Sequence, residues 1–154
     1  MGDMKTLQKI DRISFQLGMI NCFAEMVACG VKKLAISPPL TPEDYKKIRP
    51  ASDEIVRGFG IRSFLEKSLL ITGLQSEDFT KGKWSILYYR TDEVLQSYLD
   101  LKAMKKQLED EGGYDDDSRN FISRKFMQLL SYPEDVIDSK LASSAPDPFM
   151  LVDV

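Results

Sequence analysis

A chain of 154 residues with 43% apolar residues and a net charge of −3 fits one domain that buries roughly 70% of its unfolded surface. It offers no electrostatic attraction for nucleic acid or an anionic membrane, so neither is expected as a partner. The absence of histidine excludes Ser-His-Asp and Cys-His nucleophile systems, imidazole bases and every His-containing zinc site.

The first element expected is a helix from about Lys5 to Cys29, ended by Gly30, which accepts positive φ. At ~1.5 Å per residue it would span nearly 40 Å and cross the whole domain, a long central N-terminal helix. It is apolar on two sides. Ile10, Ile13, Leu17, Ile20, Ala24 and Val27 form one stripe; Phe15, Met19, Cys22, Met26 and Cys29 form another, roughly opposite. A surface helix needs one stripe, so this one is either sandwiched in its own domain or shared with a second subunit. A narrow polar seam of Ser14, Gly18, Asn21 and Glu25 runs between them. Glu25 would be desolvated if both sides were covered, which makes it a candidate acid. Gly18 costs roughly 1 kcal/mol of helix propensity against alanine, a sign of close backbone approach.

Cys22 and Cys29, two helical turns and about 10 Å apart, exceed the ~7 Å limit for a disulfide and are read as reduced. With Glu25 they could ligate a soft metal only if a further ligand came from elsewhere, and no spacing points to one. Small buried hydrophobes is the better reading, and no metal or cofactor is expected. Residues Met1, Gly2 and Thr6 fit the myristoylation pattern, which the acidic Asp3 makes a coincidence. No stretch approaches a membrane span, and helix one lacks a cationic leader and cleavage site, so the expected location is cytoplasmic.

Val31 to Ser37 reads as a short strand stopped by Pro38 and Pro39. A helix follows, with Thr41 as cap, Pro42 in its first turn, and Tyr45, Ile48, Ile55, Val56 and Phe59 as its apolar side; Pro50 must kink or split it. Gly58 and Gly60 close it. Two further strands, Ser68–Leu74 and Lys83–Arg90, form an antiparallel pair. Thr91 caps a third helix with Val94, Leu95, Tyr98, Leu101, Met104 and Leu108 buried, and Gly112 and Gly113 stop it. A fourth helix runs from about Ser118 to Leu130, and a fifth from about Pro133 to Leu141 after a Ser131–Glu134 capping pattern. Residues 1–142 form the domain. Residues 143–154 form a linker-like tail whose apolar end, Phe149–Val152, could add to a sheet edge of a protein partner or of its own subunit.

No P-loop, dinucleotide fingerprint, G-x-S-x-G elbow or paired C-x-x-C motif occurs, so any chemistry must come from carboxylates, Lys, Tyr, Arg or Cys. Arg57 and Arg62 flank the glycines of R-G-F-G-I-R, where backbone amides could help bind an anion, although a helix C-terminus repels one. Arg90 and Asp92 sit where a strand hands over to a helix, a junction that lines ligand crevices in parallel sheets. The acidic run Glu109–Asp117 departs from the EF-hand register, and its later acids suit the start of the fourth helix.

Ile86-Leu87-Tyr88-Tyr89-Arg90 before a helix, and Leu130-Ser131-Tyr132-Pro133 with Val136, resemble parts of an uncharacterised prokaryotic protein family. That family has a hydrophobic-hydrophobic-Tyr-Arg strand and a later L-G-Y-P-x-x-x-V segment. Ser131 departs from its glycine. The resemblance covers about a quarter of the chain and implies an α-rich fold with a small sheet and no activity.

The expected fold is α+β, mainly helical, with a three-stranded mixed sheet at 31–37, 68–74 and 83–90. The first two strands would be parallel through a right-handed crossover, and the third antiparallel to the second. An all-helical bundle carrying one hairpin is the alternative. The expected function is a non-catalytic binding or regulatory protein acting as a homodimer through helix one. The alternative is a small enzyme or ligand-binding domain for an anionic metabolite, using Arg90, Arg57 or Arg62 for the anion and Glu25 or Asp92 as acid or base.

Overall fold

The computed structural model describes residues 10–72 and 77–143. They form an α+β fold, mainly helical, with helices α1 (Arg12–Ala28), α2 (Pro42–Phe59), α3 (Asp92–Asp110), α4 (Asp116–Leu129) and α5 (Glu134–Ala142), plus a helical turn at Glu77–Thr80. Strands β1 (Leu34–Ile36), β2 (Arg62–Glu66) and β3 (Ser85–Tyr89) form a sheet of order β1-β3-β2. The tail's apolar end, Phe149–Val152, lies outside the described residues.

Strand β3 is the middle of the molecule, and all five of its residues are buried. Successive side chains of a strand point to opposite faces. Ile86 and Tyr88 accordingly join a core with Ile20, Ala24 and Val27 of α1 and Ile48 of α2. Leu87 and Tyr89 join another with Tyr98 and Leu101 of α3, Ile122 and Phe126 of α4 and Ile137 of α5. The sheet is thus covered by α1 and α2 on one side and by α3, α4 and α5 on the other.

Two expectations about the sheet are corrected. All pairing is antiparallel, with Leu34 opposite Tyr89 on one side of β3 and Arg62 opposite Tyr89 on the other. Strands β1 and β2 do run in the same direction with α2 between them in sequence, but β3 lies between them in space, so the sheet is not mixed. The second strand is Arg62–Glu66; of the expected strand 68–74, residues 68–72 belong to no strand, and 73 and 74 lie outside the described residues. The apolar run there is a covering segment: Leu69 and Leu70 are buried in the α3–α5 core, and its backbone is satisfied by side chains. Leu70 N donates to Tyr98 Oη at 3.0 Å, and Lys105 Nζ donates to the Ile71 carbonyl at 2.7 Å.

Strand β1 is shorter than 31–37 because its first amides are committed elsewhere. Val31 N and Lys32 N both donate to the Met26 carbonyl, at 2.9 and 3.2 Å, closing α1, and Lys33 N donates to Ser131 Oγ at 2.9 Å. Beyond Ile36, Ser37 Oγ accepts from Ile86 N at 2.9 Å, and pairing resumes at Leu40 and Trp84.

Helix α1 begins at Arg12, later than expected, because Asp11 accepts from Ser14 N at 2.8 Å and caps it. Its inner stripe is covered from Ile13 onward: Ile20, Ala24 and Val27 are fully buried, and Ile13 and Leu17 pack against the same core, whereas Ile10, also expected in that stripe, precedes the helix and is exposed. The second stripe is not fully covered among the described residues. Phe15 and Met19 are half-buried, while Cys22, Met26 and Cys29 are exposed. The helix is therefore not sandwiched within its own domain. Its N-terminus is tied to that of α2 by Arg12, which donates to both carboxylate oxygens of buried Asp44 at 3.0 and 3.1 Å. Helix α2 runs through Pro50 as one element.

Four helices end alike. After α1, α2, α3 and α4, the amides of two successive residues turn back to the last turn, as Gly30 N does to the Val27 carbonyl at 3.1 Å and Val31 N to that of Met26 at 2.9 Å. This closure requires left-handed backbone at its pivot. Gly30, Gly60 and Gly112 supply it after the first three; after α4 the pivot is Ser131, the one non-glycine described at positive φ, 68°. Ser131 thus does not cap α5, whose N-cap is Pro133 with no side-chain bond. Thr91 likewise sits at the N-cap of α3 without a side-chain cap bond, whereas Asp115 and Ser118 form a reciprocal capping box on α4.

Left-handed backbone strains a residue with a Cβ by roughly 1–2 kcal/mol. Ser131→Gly removes that strain and the bond to Lys33 N together, and its stability in urea should stay within about 0.5 kcal/mol of the parent. Ser131→Ala loses the bond and keeps the strain, so it should fall by about 0.5–1 kcal/mol; equal effects would refute this account. The Ser118 hydroxyl and amide hold the Asp115 carboxyl below its ordinary value. The cap's contribution is therefore present above the unfolded pKa and is lost as pH falls through the lower folded one. Carboxyl NMR should show Asp115 titrating below 3.8 and moving up in Ser118→Ala.

Candidate functional site

The five residues singled out from the sequence are placed as follows. Arg62, opening β2, forms an ion pair with Asp92, in the first turn of α3, and the hydrogen bond raises the pKa of Arg62. Both side chains are more than half exposed, so the pair adds little stability. Arg57 donates to Glu54 Oε1 at 2.6 Å within α2, again in solvent. Arg90 is exposed, and a Cβ added at Gly30 would come within 3.2 Å of its Nη1. The cation therefore rests beside the C-terminus of α1, where the helix dipole favours positive charge. Glu25 is exposed on α1. Of the five, the structure pairs Arg62 with Asp92; Arg57, Arg90 and Glu25 each have different surroundings.

A buried polar cluster was missed in the sequence. Glu66, closing β2, is 5% exposed. Its Oε2 accepts from Tyr98 Oη and from Lys102 Nζ, both at 2.8 Å, and its Oε1 accepts from Ser68 N at 2.9 Å. Tyr98 in turn accepts from Leu70 N. Burial pushes the Tyr98 hydroxyl well above its ordinary pKa, so it stays protonated and donates. Both carboxylate oxygens and the Tyr98 hydroxyl are satisfied, and the arrangement latches segment 67–71 onto α3. A hollow of about 170 Å³ between Ser68–Ile71 and Lys102, Lys105 and Lys106 lies beside it, below the roughly 300 Å³ of small-molecule sites.

The larger concavity is a groove of about 540 Å³ lined by Tyr45, Lys46, Arg49, Pro50, Asp53 and Trp84. Tyr45, Arg49 and Asp53 recur every fourth residue along α2 and so share one side of it. Trp84 is held at the rim by two backbone hydrogen bonds with Leu40, at 2.7 and 2.8 Å. Its ring meets Tyr45 edge to face, with centroids 5.5 Å apart and planes at 66°. Lys67 Nζ lies 4.7 Å from the Trp84 ring centroid, and Arg49 Nε lies 3.7 Å from Asp53 Oδ2. The available sequence signal was a helix side carrying Tyr, Lys, Arg and Asp together with the chain's single tryptophan. Reading Tyr45 as apolar helix face and Trp84 as strand concealed it.

Among the described residues, no group of three or more His, Cys, Asp or Glu is placed to hold a metal ion, and no helix is long and apolar enough to cross a membrane.

Removing a buried charge's partners is far more costly than losing a surface pair. Glu66→Ala should cost about 3 kcal/mol in chemical denaturation, because the Tyr98 hydroxyl and the Ser68 amide lose their acceptor in the interior. Lys102→Met should cost a comparable amount, about 3 kcal/mol, since it leaves the buried Glu66 carboxylate without the cation that pairs with it. A Glu66→Ala loss no larger than that of an exposed ion pair would contradict the latch. No protein-family model matches this chain, and no curated protein or solved structure proved significantly similar to it.

Proposed function

We propose that this chain is a non-catalytic binding or regulatory protein of the cytoplasm that acts as a homodimer, with the outward side of α1 in the interface. One observation carries the reading. Between Phe15 and Cys29 that side presents Phe15, Met19, Cys22, Met26 and Cys29 with Glu25 as its single charged neighbour, and the chain's own core does not cover it. Met26 is 37% exposed, and Val31, just past the helix end, is 66% exposed. Scattered apolar residues on a surface need no explanation, whereas a contiguous strip along a helix marks an interaction site.

The strip suits a second helix. Gly18 lies beside it on exposed backbone, and a Cβ added there would meet nothing within 4 Å, which leaves room for close approach. Methionines adapt their shape to a partner surface. A stable interface buries about 800 Å² on each side, so the strip is joined by Val31 and the residues flanking α1. A non-catalytic role is favoured by the arginines: Arg57 and Arg62 are solvated and already engaged with Glu54 and Asp92.

Light scattering coupled to size-exclusion chromatography at micromolar concentration should give the mass of two 17.5 kDa chains. Met26→Lys, which changes an exposed side chain, should shift the mass to one chain while the far-ultraviolet circular dichroism is retained. A monomeric parent protein would overturn the reading.

A further inference from the structure

We propose that the groove between α2 and Trp84 is a binding site for a small molecule that combines a flat aromatic ring with an anionic group. The site is independent of the α1 interface. Its volume of about 540 Å³ falls within the roughly 300–1,000 Å³ typical of small-molecule pockets. The edge-to-face arrangement of Tyr45 and Trp84 presents two ring surfaces at an angle, a notch that accepts a third ring in offset or edge contact.

The charges select the rest of the ligand. Lys46 and Arg49 line the groove, and Lys67 reaches the Trp84 ring from the segment after β2. The two lining cations thus stand against one lining carboxylate, Asp53. At 3.7 Å, with both partners more than half exposed, Arg49 is held only loosely by Asp53. Its guanidinium can therefore turn to a carboxylate or phosphate, which it matches with two parallel N–H donors. Pro50 has no N–H, so the Lys46 carbonyl lacks its helical donor. That leaves an acceptor in the wall of the groove for a ring N–H or hydroxyl.

Trp84 is the only tryptophan, so its fluorescence reports on this site alone. The full chain would be titrated with adenosine monophosphate and, separately, with benzoate; adenosine and inorganic phosphate are the ring-only and anion-only controls for the first, benzamide and acetate for the second. A saturable change with the nucleotide alone assigns a phosphate ligand, and one with benzoate assigns a carboxylate. In either case the matching control should bind at least about tenfold more weakly, the scale of one charge-assisted hydrogen bond. Arg49→Ala should weaken binding by about tenfold. Asp53→Asn should strengthen it, by removing the competing carboxylate, and a merely structural role for these exposed residues would not produce opposite signs. No saturable change with either anion up to about 10 mM, above the ~1 mM at which binding free energy is only about −4 kcal/mol, would overturn the proposal. So would adenosine binding as well as its monophosphate, or weakening in both variants.

Discussion

Burial of β3 on both faces is the constraint from which the architecture follows. A five-residue strand with no solvent-facing side must have a strand on each edge and a helical layer on each face, and each of those four positions is filled by a different part of the chain. The edges go to β1 and β2. The faces go to helices on either side of the strand in sequence: α1 and α2 precede it, and α3 to α5 follow it. Each layer therefore forms from a continuous stretch of chain, and β3 joins them.

Two buried tyrosines show how the sheet fixes its helices. Tyr88, on the α1–α2 side, bonds the buried Ser52 hydroxyl of α2 at 2.8 Å. Tyr98 of α3, on the other side, ties its helix to Glu66 at the end of β2. Apolar contacts alone permit a helix to slide or rotate by small amounts with little loss. A buried hydroxyl left without a partner costs roughly 1–3 kcal/mol, so each of these bonds selects one register of helix on sheet.

What was legible in the sequence follows from how locally each element is determined. The third strand, the glycine stops after α1, α2 and α3, and the buried side of α3 apart from Met104, which is exposed, are set by periodicity and by residues within a few positions. Strand β2 was missed because its pattern is inverted. Arg62 and Ser63 face water, and its most buried residue is the charged Glu66, which the nearby Ser68 amide and the distant Tyr98 and Lys102 make tolerable. The run at 68–74 reads as a strand because apolar composition reports burial, and its described part, 68–72, is a covering segment in which Leu69 and Leu70 are buried without pairing. The capping role given to Ser131 failed for a similar reason: its hydroxyl serves Lys33, 98 residues away in sequence. The groove was invisible because Tyr45 and Trp84 meet only in three dimensions, through the Leu40 bridge.

The two helical layers differ in how they finish their outer surfaces. On the α4–α5 side, Arg124 reaches both Glu134 at 2.8 Å and Asp138 at 2.5 Å, and Gln128 also donates to Glu134. Such side chains bridge neighbouring helices with polar contacts, although Phe121 and Met104 are also exposed on this layer. On the α1–α2 side, the one long-range ion pair among the described residues, Arg12 with Asp44, lies at the N-terminal ends of the helices. Along the rest of α1 no such finish is applied, and a strip of apolar and sulfur side chains is left instead. Electrostatic bridging closes a surface to partners by occupying its charges; an uncharged strip costs solubility unless something covers it. The asymmetry directs attention to the α1–α2 layer, where the strip and the cation-lined groove occur on successive helices, while the opposite layer serves to hold the sheet in place.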